Sequence, residues 1–278
     1  MHLPFTSYGL ILGIAIVFGV SLVERQIIKS EKTTSQTFLS EIFYKVGTIT
    51  FIFGVLGARI WHVFTDFALY KNDLVSSLYI WNGGLSIIGA AIGGLIGILI
   101  STLILAELRE KKREHKKELL LQFLDFSVFG LPVGQALGRL GNYVNQELYG
   151  LPTSGFFKIF IDLENRLPGF ENRAYYHPLF LYEMIATGLF AVAVHIAYHN
   201  KNLVQKFPQL GSGKLFLVYI FYYSVVRFFL DFLRIDRGVV HFGILGTNQL
   251  VLFFTILLIS VYFLLQYFRI ISQYVAKK

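Results

Sequence analysis

An all-α polytopic membrane protein of seven transmembrane helices is predicted by three observations. The 278-residue chain is 55% hydrophobic, with 28 phenylalanines and 16 tyrosines, and its mean hydropathy is +0.59. That is far more apolar surface than a soluble domain of this size could bury. Uncharged runs at 3–23, 74–106 and 238–268 each reach the roughly 20 residues that a spanning helix needs. Lysines and arginines, finally, crowd into alternate loops.

The first run begins Met1-His2-Leu3-Pro4. It lacks the basic start and the small-residue cleavage site of a signal peptide, so it is expected to be a retained first span. Spans are then expected at 8–23, 46–69, 81–106, 119–137, 178–198, 215–233 and 247–268. Between them, one set of loops carries Arg25, Lys29, Lys32 and Lys45, then the run 109–117, then Lys201, Lys206 and Lys214, and ends with Arg269, Lys277 and Lys278. The other set holds fewer than half as many, among them Lys71, Arg139, Lys158, Arg166, Arg173, Arg234 and Arg237. The richer side belongs in the cytoplasm, which places the N-terminus outside and the C-terminus inside. The net charge of +8 is then a topology signal, the run 109–117 a solvated anchor, and a nucleic-acid partner is not expected.

The segment 139–177 falls on the outer side. Punctuated by Pro152, Gly155, Pro168 and Gly169, it is too polar to span and reads as an extracytoplasmic cap within a single membrane-embedded domain over 1–278. Within it, Phe156-Phe157-Lys158-Ile159-Phe160 is expected to rest at the interface as an amphipathic strand or short helix. Glycines at 9 and 13, at 89, 93 and 97, and at 130, 134 and 138 recur every fourth residue, a stripe that lets helices approach closely in lipid. The last stripe ends beside Arg139, so close packing is expected to position the polar motif that begins there. No internal repeat points to an inverted-repeat transporter. Zero cysteines exclude a cysteine nucleophile and thiolate metal sites.

Polar chemistry gathers in three places. In Gly138-Arg139-Leu140-Gly141-Asn142-Tyr143-Val144-Asn145-Gln146-Glu147-Leu148-Tyr149-Gly150, Arg139 offers a planar fork suited to phosphate, with Asn142, Asn145 and Glu147 beside it. Helical spacing puts Tyr223, Arg227 and Asp231 on one face; Asp231 and the Tyr223 hydroxyl are expected to orient Arg227 toward an anion, or Arg227 and Asp231 simply to pair. Arg59, His62 and Asp66 share another face, where a histidine bonded to Asp66 can serve as a general base or as a structural group. No metal is implied, for want of close ligand spacing, and no cofactor is expected.

These motifs carry a resemblance. The 138–150 stretch is similar to the signature of the bacterial phosphatidylglycerol:prolipoprotein diacylglyceryl transferases, and five further elements agree with that family in order. They are Tyr8-Gly9, Arg59 after Gly57, Trp81-Asn82-Gly83-Gly84-Leu85-Ser86, His177-Pro178 with Leu181-Tyr182-Glu183, and Tyr223 with Arg227; Asn248-Gln249 is a weaker match. Glu183, which enters a span, is expected to pair internally. One departure stands out: Ile88 occupies the place where many members have a histidine.

The resemblance implies an enzyme of the bacterial plasma membrane. It would transfer the diacylglyceryl group of phosphatidylglycerol to the lipobox cysteine thiol of a prolipoprotein signal peptide and release glycerol 1-phosphate. Catalytic roles are expected for Arg227, Tyr223, His62, Tyr8 and Glu147, and substrate contacts for Arg139, Asn142, Asn145, Arg59, Gly83 and Gly84. Arg139 would bind the phosphate and Arg227 stabilise the leaving group, or the reverse. The base would be His62, Glu147 or the arginines acting through their field. The competing expectation is an anion channel or lipid transporter with an arginine-lined path. A polyprenyl-phosphate glycosyltransferase fits less well, lacking its acidic metal-binding pairs.

Overall fold

The computed structural model describes residues 7–34, 38–71, 73–80, 83–107, 113–235, 240–241 and 245–275. Trp81 and Asn82, the start of the basic run at Arg109, Lys111 and Lys112, the opening Met1 to Pro4, Arg237, and Lys277 and Lys278 lie outside the described residues.

Helices dominate. They are α1 (Ser7–Thr34), α2 (Phe38–Thr65), α3 (Ile87–Glu107), α4 (Arg113–Ser127), α5 (Leu131–Val144), α6 (Leu179–His199), the short α7 (Lys201–Val204), α8 (Lys214–Leu230) and α9 (Thr247–Val275). Among the described residues six helices are long and apolar enough to cross a bilayer, and the count reaches seven if α4 and α5 form one interrupted span. The chain is thus an all-α polytopic membrane protein. Large apolar side chains such as Leu257, Leu258, Leu264 and Leu265 of α9 stay exposed, as a helix surrounded by lipid requires. The fourth expected span breaks at 128–130 because Gly130 caps α5 and Pro132 stands in its first turn, where proline's missing N–H costs no helix bond.

The described residues form two compact units. One comprises Met1–Leu22, Ser127–Gln209 and Lys214–Lys278, the other Val23–Phe126 and Leu210–Gly213. In the second unit α2 and α3 pack tightly, and the glycine stripe accounts for it. A Cβ on Gly89 or Gly93 would collide with the α2 backbone at Gly57 and Phe53, so only glycine permits this approach. Asp125 closes the unit's other end by accepting the Gly211 and Gly213 N–H groups at 2.9 Å each.

In the first unit, Gly19 of α1 lies against Gly130, and Gly134 against Ala15. Gly138, in contrast, has open space around it. The tight position is Gly141, where a Cβ would strike the Tyr8 ring, so the stripe ends before the polar motif and Tyr8 seats it instead.

The cap follows α5. Strands β1 (Ile159–Phe160) and β2 (Tyr175–Tyr176) pair antiparallel, Ile159 opposite Tyr176, over a small core of Tyr149, Ile161 and Tyr176. Phe160 faces outward and the following Ile161 inward, but the strand takes in only the last two residues of the 156–160 stretch, and Phe156 and Phe157 are both exposed. A second antiparallel pair, β3 (Val240–His241) with β4 (Leu245–Gly246), precedes α9. Buried Gln249 joins α9 to α8 by accepting from Gly246 N at 2.9 Å and donating to Phe228 O at 3.3 Å.

Candidate active site

Three helices of the first unit bring the charged motif together. Arg139 and Asn142 project from the last turns of α5, Glu183 from the second turn of α6, and Tyr223 and Arg227 from α8; Asp231 opens the 3-10 turn Asp231–Leu233 that continues from α8. The chain leaving α5 crosses the end of α8 as an isolated antiparallel bridge between Gly150 and Arg234. A Cβ at Gly150 would press on Leu233 O and Leu179, which explains the glycine that closes the motif.

Glu183 is the hub. Its Oε1 receives Arg139 Nη2 at 2.5 Å and the Tyr223 hydroxyl at 3.1 Å, and its Oε2 receives Arg227 Nη1 at 2.9 Å. Arg139 Nη1 also donates to Asn142 Oδ1 at 3.0 Å, and Asn142 Nδ2 to Glu147 Oε1 at 2.8 Å; Asn145 Nδ2 reaches the same oxygen at 3.5 Å. Asp231 lies farther off, 3.7 Å from Arg227 Nη2 and 3.8 Å from Arg234 Nε.

This corrects one expectation. Tyr223 acts on Arg227 through Glu183, and Glu183 rather than Asp231 is the closer partner of Arg227. Glu183, expected to pair internally, does so with Arg139 and Arg227, and that pairing brings it into the candidate site; its signal is a carboxylate inside a span, which is rarely without function.

Exposure sets the polarity of the cluster. The side chains of Glu183 and Asp231 are 0% exposed, those of Arg139 and Arg227 21% and 14%. The anions are therefore sealed behind the cations. Three guanidiniums, Arg139, Arg227 and Arg234, against two carboxylates, Glu183 and Asp231, leave one positive charge uncompensated, which suits a single phosphodiester. Beside them a cavity of about 500 Å³ is lined by Asn142, Asn145, Glu147, Tyr149, Asn165 and Arg234, among others.

The second unit holds the other expected residues. Arg59 donates from Nε to Ser77 O (2.6 Å), from Nη1 to Gly83 O (2.7 Å) and Gly84 O (3.0 Å), and from Nη2 to Ser76 O (2.9 Å) and Tyr79 O (3.3 Å). The Tyr70 ring lies 5.1 Å from its guanidinium carbon. All five donors of an arginine are thereby spent on main-chain carbonyls. Arg59, expected to contact substrate, is instead a clamp on the 76–84 loop.

His62 Nδ1 stands 3.1 Å from Asp66 Oδ2, which also accepts from Thr65 Oγ1 at 2.8 Å. Gly83 and Gly84 adopt φ of 83° and 72°, and a Cβ on Gly84 would meet the His62 ring at 2.5 Å and Arg59 Nη1 at 2.8 Å. Gly84 thus lies directly on Arg59 and His62, while Gly83, which has open space around it, is required by its φ alone. Ile88, in the first turn of α3, is 48% exposed and offers no polar atom.

Fold and site define a class: a multi-pass membrane protein holding paired guanidiniums around a buried carboxylate, with a polar cavity alongside. The chain belongs to the prolipoprotein diacylglyceryl transferase family, whose sequence profile matches residues 1–265. It is similar to the phosphatidylglycerol–prolipoprotein diacylglyceryl transferase of Halalkalibacterium halodurans, with 32% identity over 270 residues, 96% of this chain and 83% of the relative. The enzymes of that name from Trichormus variabilis (34% over 230 residues, 82% and 74% of the two chains) and Parasynechococcus marenigrum (30% over 230 residues, 82% and 76%) are similar as well.

Proposed function

We propose that this transferase moves the diacylglyceryl group of phosphatidylglycerol to the thiol of a lipobox cysteine in a prolipoprotein signal peptide. The observation that carries the reading is the cluster of Arg139, Arg227 and Arg234 around Glu183 and Asp231, three guanidiniums to two carboxylates, within an apolar scaffold. The acceptor sulfur attacks the glyceryl carbon that bears the phosphate ester. A carbon–sulfur bond forms, the carbon–oxygen bond breaks with its electron pair on oxygen, and glycerol 1-phosphate departs carrying one more negative charge than the diester had. Preorganised donors stabilise that growing charge more than the ground state, which is what accelerates the step. Arg139 binds the phosphate and Arg227 stabilises the leaving group. Asn142, Asn145 and Glu147 hold the glycerol hydroxyls, and Tyr8 and Tyr223 brace the two motifs.

A free thiol has a pKa of about 8.5 and is mostly protonated at neutral pH. The proton goes to His62 in this reading, since its pairing with Asp66 at Nδ1 is the arrangement of a general base. An unchanged turnover number in His62→Gln would remove it from the mechanism. The charge distribution supports an active site toward the outer leaflet of the plasma membrane, the N-terminus outside, and the 139–177 segment as an external cap. Since the chain has no cysteine, single introduced cysteines at Lys158 and Lys201 report sidedness directly: reagent access from outside is expected at 158 alone.

Purified protein incubated with labelled phosphatidylglycerol and a lipobox peptide tests the activity. Labelled peptide from the wild type, and far less of it from Arg139→Ala, is the expected result. Anion flux through liposomes without labelled peptide would favour a channel.

A further inference from the structure

Helix α5, which carries Arg139, ends in a way its sequence does not favour. The Gln146 N–H donates to Tyr143 O at 3.1 Å and the Glu147 N–H to Asn142 O at 2.9 Å. These are the two reverse bonds of a Schellman termination, in which the residue past the cap turns left-handed and is commonly glycine. Here that residue is Gln146, at φ 51°, and Leu148 repeats the conformation at φ 56°. They are the non-glycine residues with left-handed φ among the described residues, and Glu147 stands between them. A side chain in this region is strained and persists only where its surroundings hold it.

The cap does the holding. Gln146 Oε1 accepts from Asp162 N at 2.7 Å and from Asn165 Nδ2 at 3.3 Å, while Gln146 Nε2 donates to Asp162 Oδ2 at 2.5 Å. A main-chain N–H can only donate and a carboxylate only accept, so both ends of the amide are committed. Asp162 occupies the N-cap of the 3-10 turn Leu163–Asn165 yet makes no side-chain capping bond there. Its carboxylate is engaged with Gln146 instead. On the far side, Glu147 receives Asn142, and Asn142 receives Arg139. The connection from Asp162 to the guanidinium therefore runs by hydrogen bond to Gln146, along the main chain to Glu147, and by hydrogen bonds from there through Asn142 to Arg139.

We infer that Gln146 is a positioning residue, whose amide locks the 162–165 turn of the cap to the end of α5 and so holds Glu147, Asn142 and Arg139 in the geometry that grips the donor phosphate. This rests on the phosphate-binding reading of Arg139. A glycine at 146 would satisfy the backbone with less strain, so a role in the turn alone gives no reason for glutamine. Gln146 and Asn165 also border the cavity that Asn142, Glu147 and Arg234 line, which makes the clamp part of the wall around the headgroup.

The test is steady-state transfer by full-length wild type, Gln146→Gly, Asp162→Ala and the double variant, in mixed micelles with donor lipid and lipobox peptide varied separately. Gln146→Gly accepts the left-handed φ freely and so folds, losing only the clamp. It is expected to raise the KM for phosphatidylglycerol about tenfold, the scale of one charge-assisted hydrogen bond, and to leave the peptide KM unchanged. Asp162→Ala, which removes the carboxylate but keeps the main-chain donor to Gln146 Oε1, should raise the same KM by a smaller factor, and the double variant should be no worse than Gln146→Gly, as partners in one contact require. Wild-type kinetics in Gln146→Gly would overturn the inference. So would a fall in kcat with both KM values unchanged, or losses that multiply in the double variant. If the wild type itself transfers nothing, the reading of Arg139 fails, and the inference with it; transfer with normal Gln146→Gly kinetics sinks the inference alone.

Discussion

Arg59 and Arg139 are both arginines inside apolar helices beside a glycine-rich motif, yet they are held in opposite ways. Arg59 spends every donor on neutral carbonyls of one loop. Arg139 is divided between a buried carboxylate and an amide, and it shares the carboxylate with a second guanidinium. The first arrangement is saturated and builds a loop; the second keeps positive charge in excess and can take an anion. An intramembrane arginine is thus assigned its work by the partners that surround it, more than by its own presence in a motif.

Truncating the two arginines should separate those roles most sharply. Arg139→Ala is expected to lower transfer by about 10²–10³-fold, as for removal of one preorganised donor at a developing charge, with little change in melting temperature. Arg59→Ala should instead lower the melting temperature by about 5–10 °C, since several carbonyls lose their partner, and should leave the KM for phosphatidylglycerol in the surviving enzyme unchanged. Thermal denaturation and lipid titration on the same two preparations decide it, and equal effects on KM would dissolve the contrast.

Glu183→Gln sharpens the comparison from the anion side. It keeps the shape but leaves two guanidiniums without their shared charge, so stability should fall by about 2–3 kcal/mol. Bound phosphatidylglycerol should restore the melting temperature more in this variant than in the wild type, because the phosphate replaces the missing anion. In the other cluster, Gly84→Ala forces a left-handed φ and a Cβ onto His62 and Arg59. A loss of about 1–3 kcal/mol is expected, read by denaturation.

The smallest effect belongs to a residue outside both clusters. Tyr176 donates to Phe170 O at 2.6 Å and Arg173 O at 2.9 Å in the cap core, and burial pushes its hydroxyl pKa up. A raised folded-state pKa stabilises the cap below the ordinary tyrosine value of about 10 and is lost as pH climbs through the folded value. Tyr176→Phe should cost about 1 kcal/mol near neutral pH and flatten that alkaline loss.

Much of the framework is legible from residue patterns. The spans lie near where hydropathy places them, and the stripe at Gly89, Gly93 and Gly97 meets α2 as small-residue spacing implies. The break in the fourth span is written in Gly130 and Pro132, though a window tuned to apolar length passes over it. Tyr223, Arg227 and Asp231 share a side as their spacing requires, but spacing could not rank their partners. Glu183 outcompetes Asp231 because it arrives from another helix, 44 residues from both arginines. Gln146 is illegible as a helix stop, since glycine is the usual sign and its replacement is held by Asp162 from 16 residues away.

What the sequence by itself determined was membrane residence, the order of the apolar helices, and which polar residues had to be sheltered, because these follow from transfer free energy and local periodicity. Only the tertiary structure decided which arginine is saturated and which is left receptive, because that depends on carbonyls and carboxylates delivered by other segments of the chain, and no local spacing encodes their arrival.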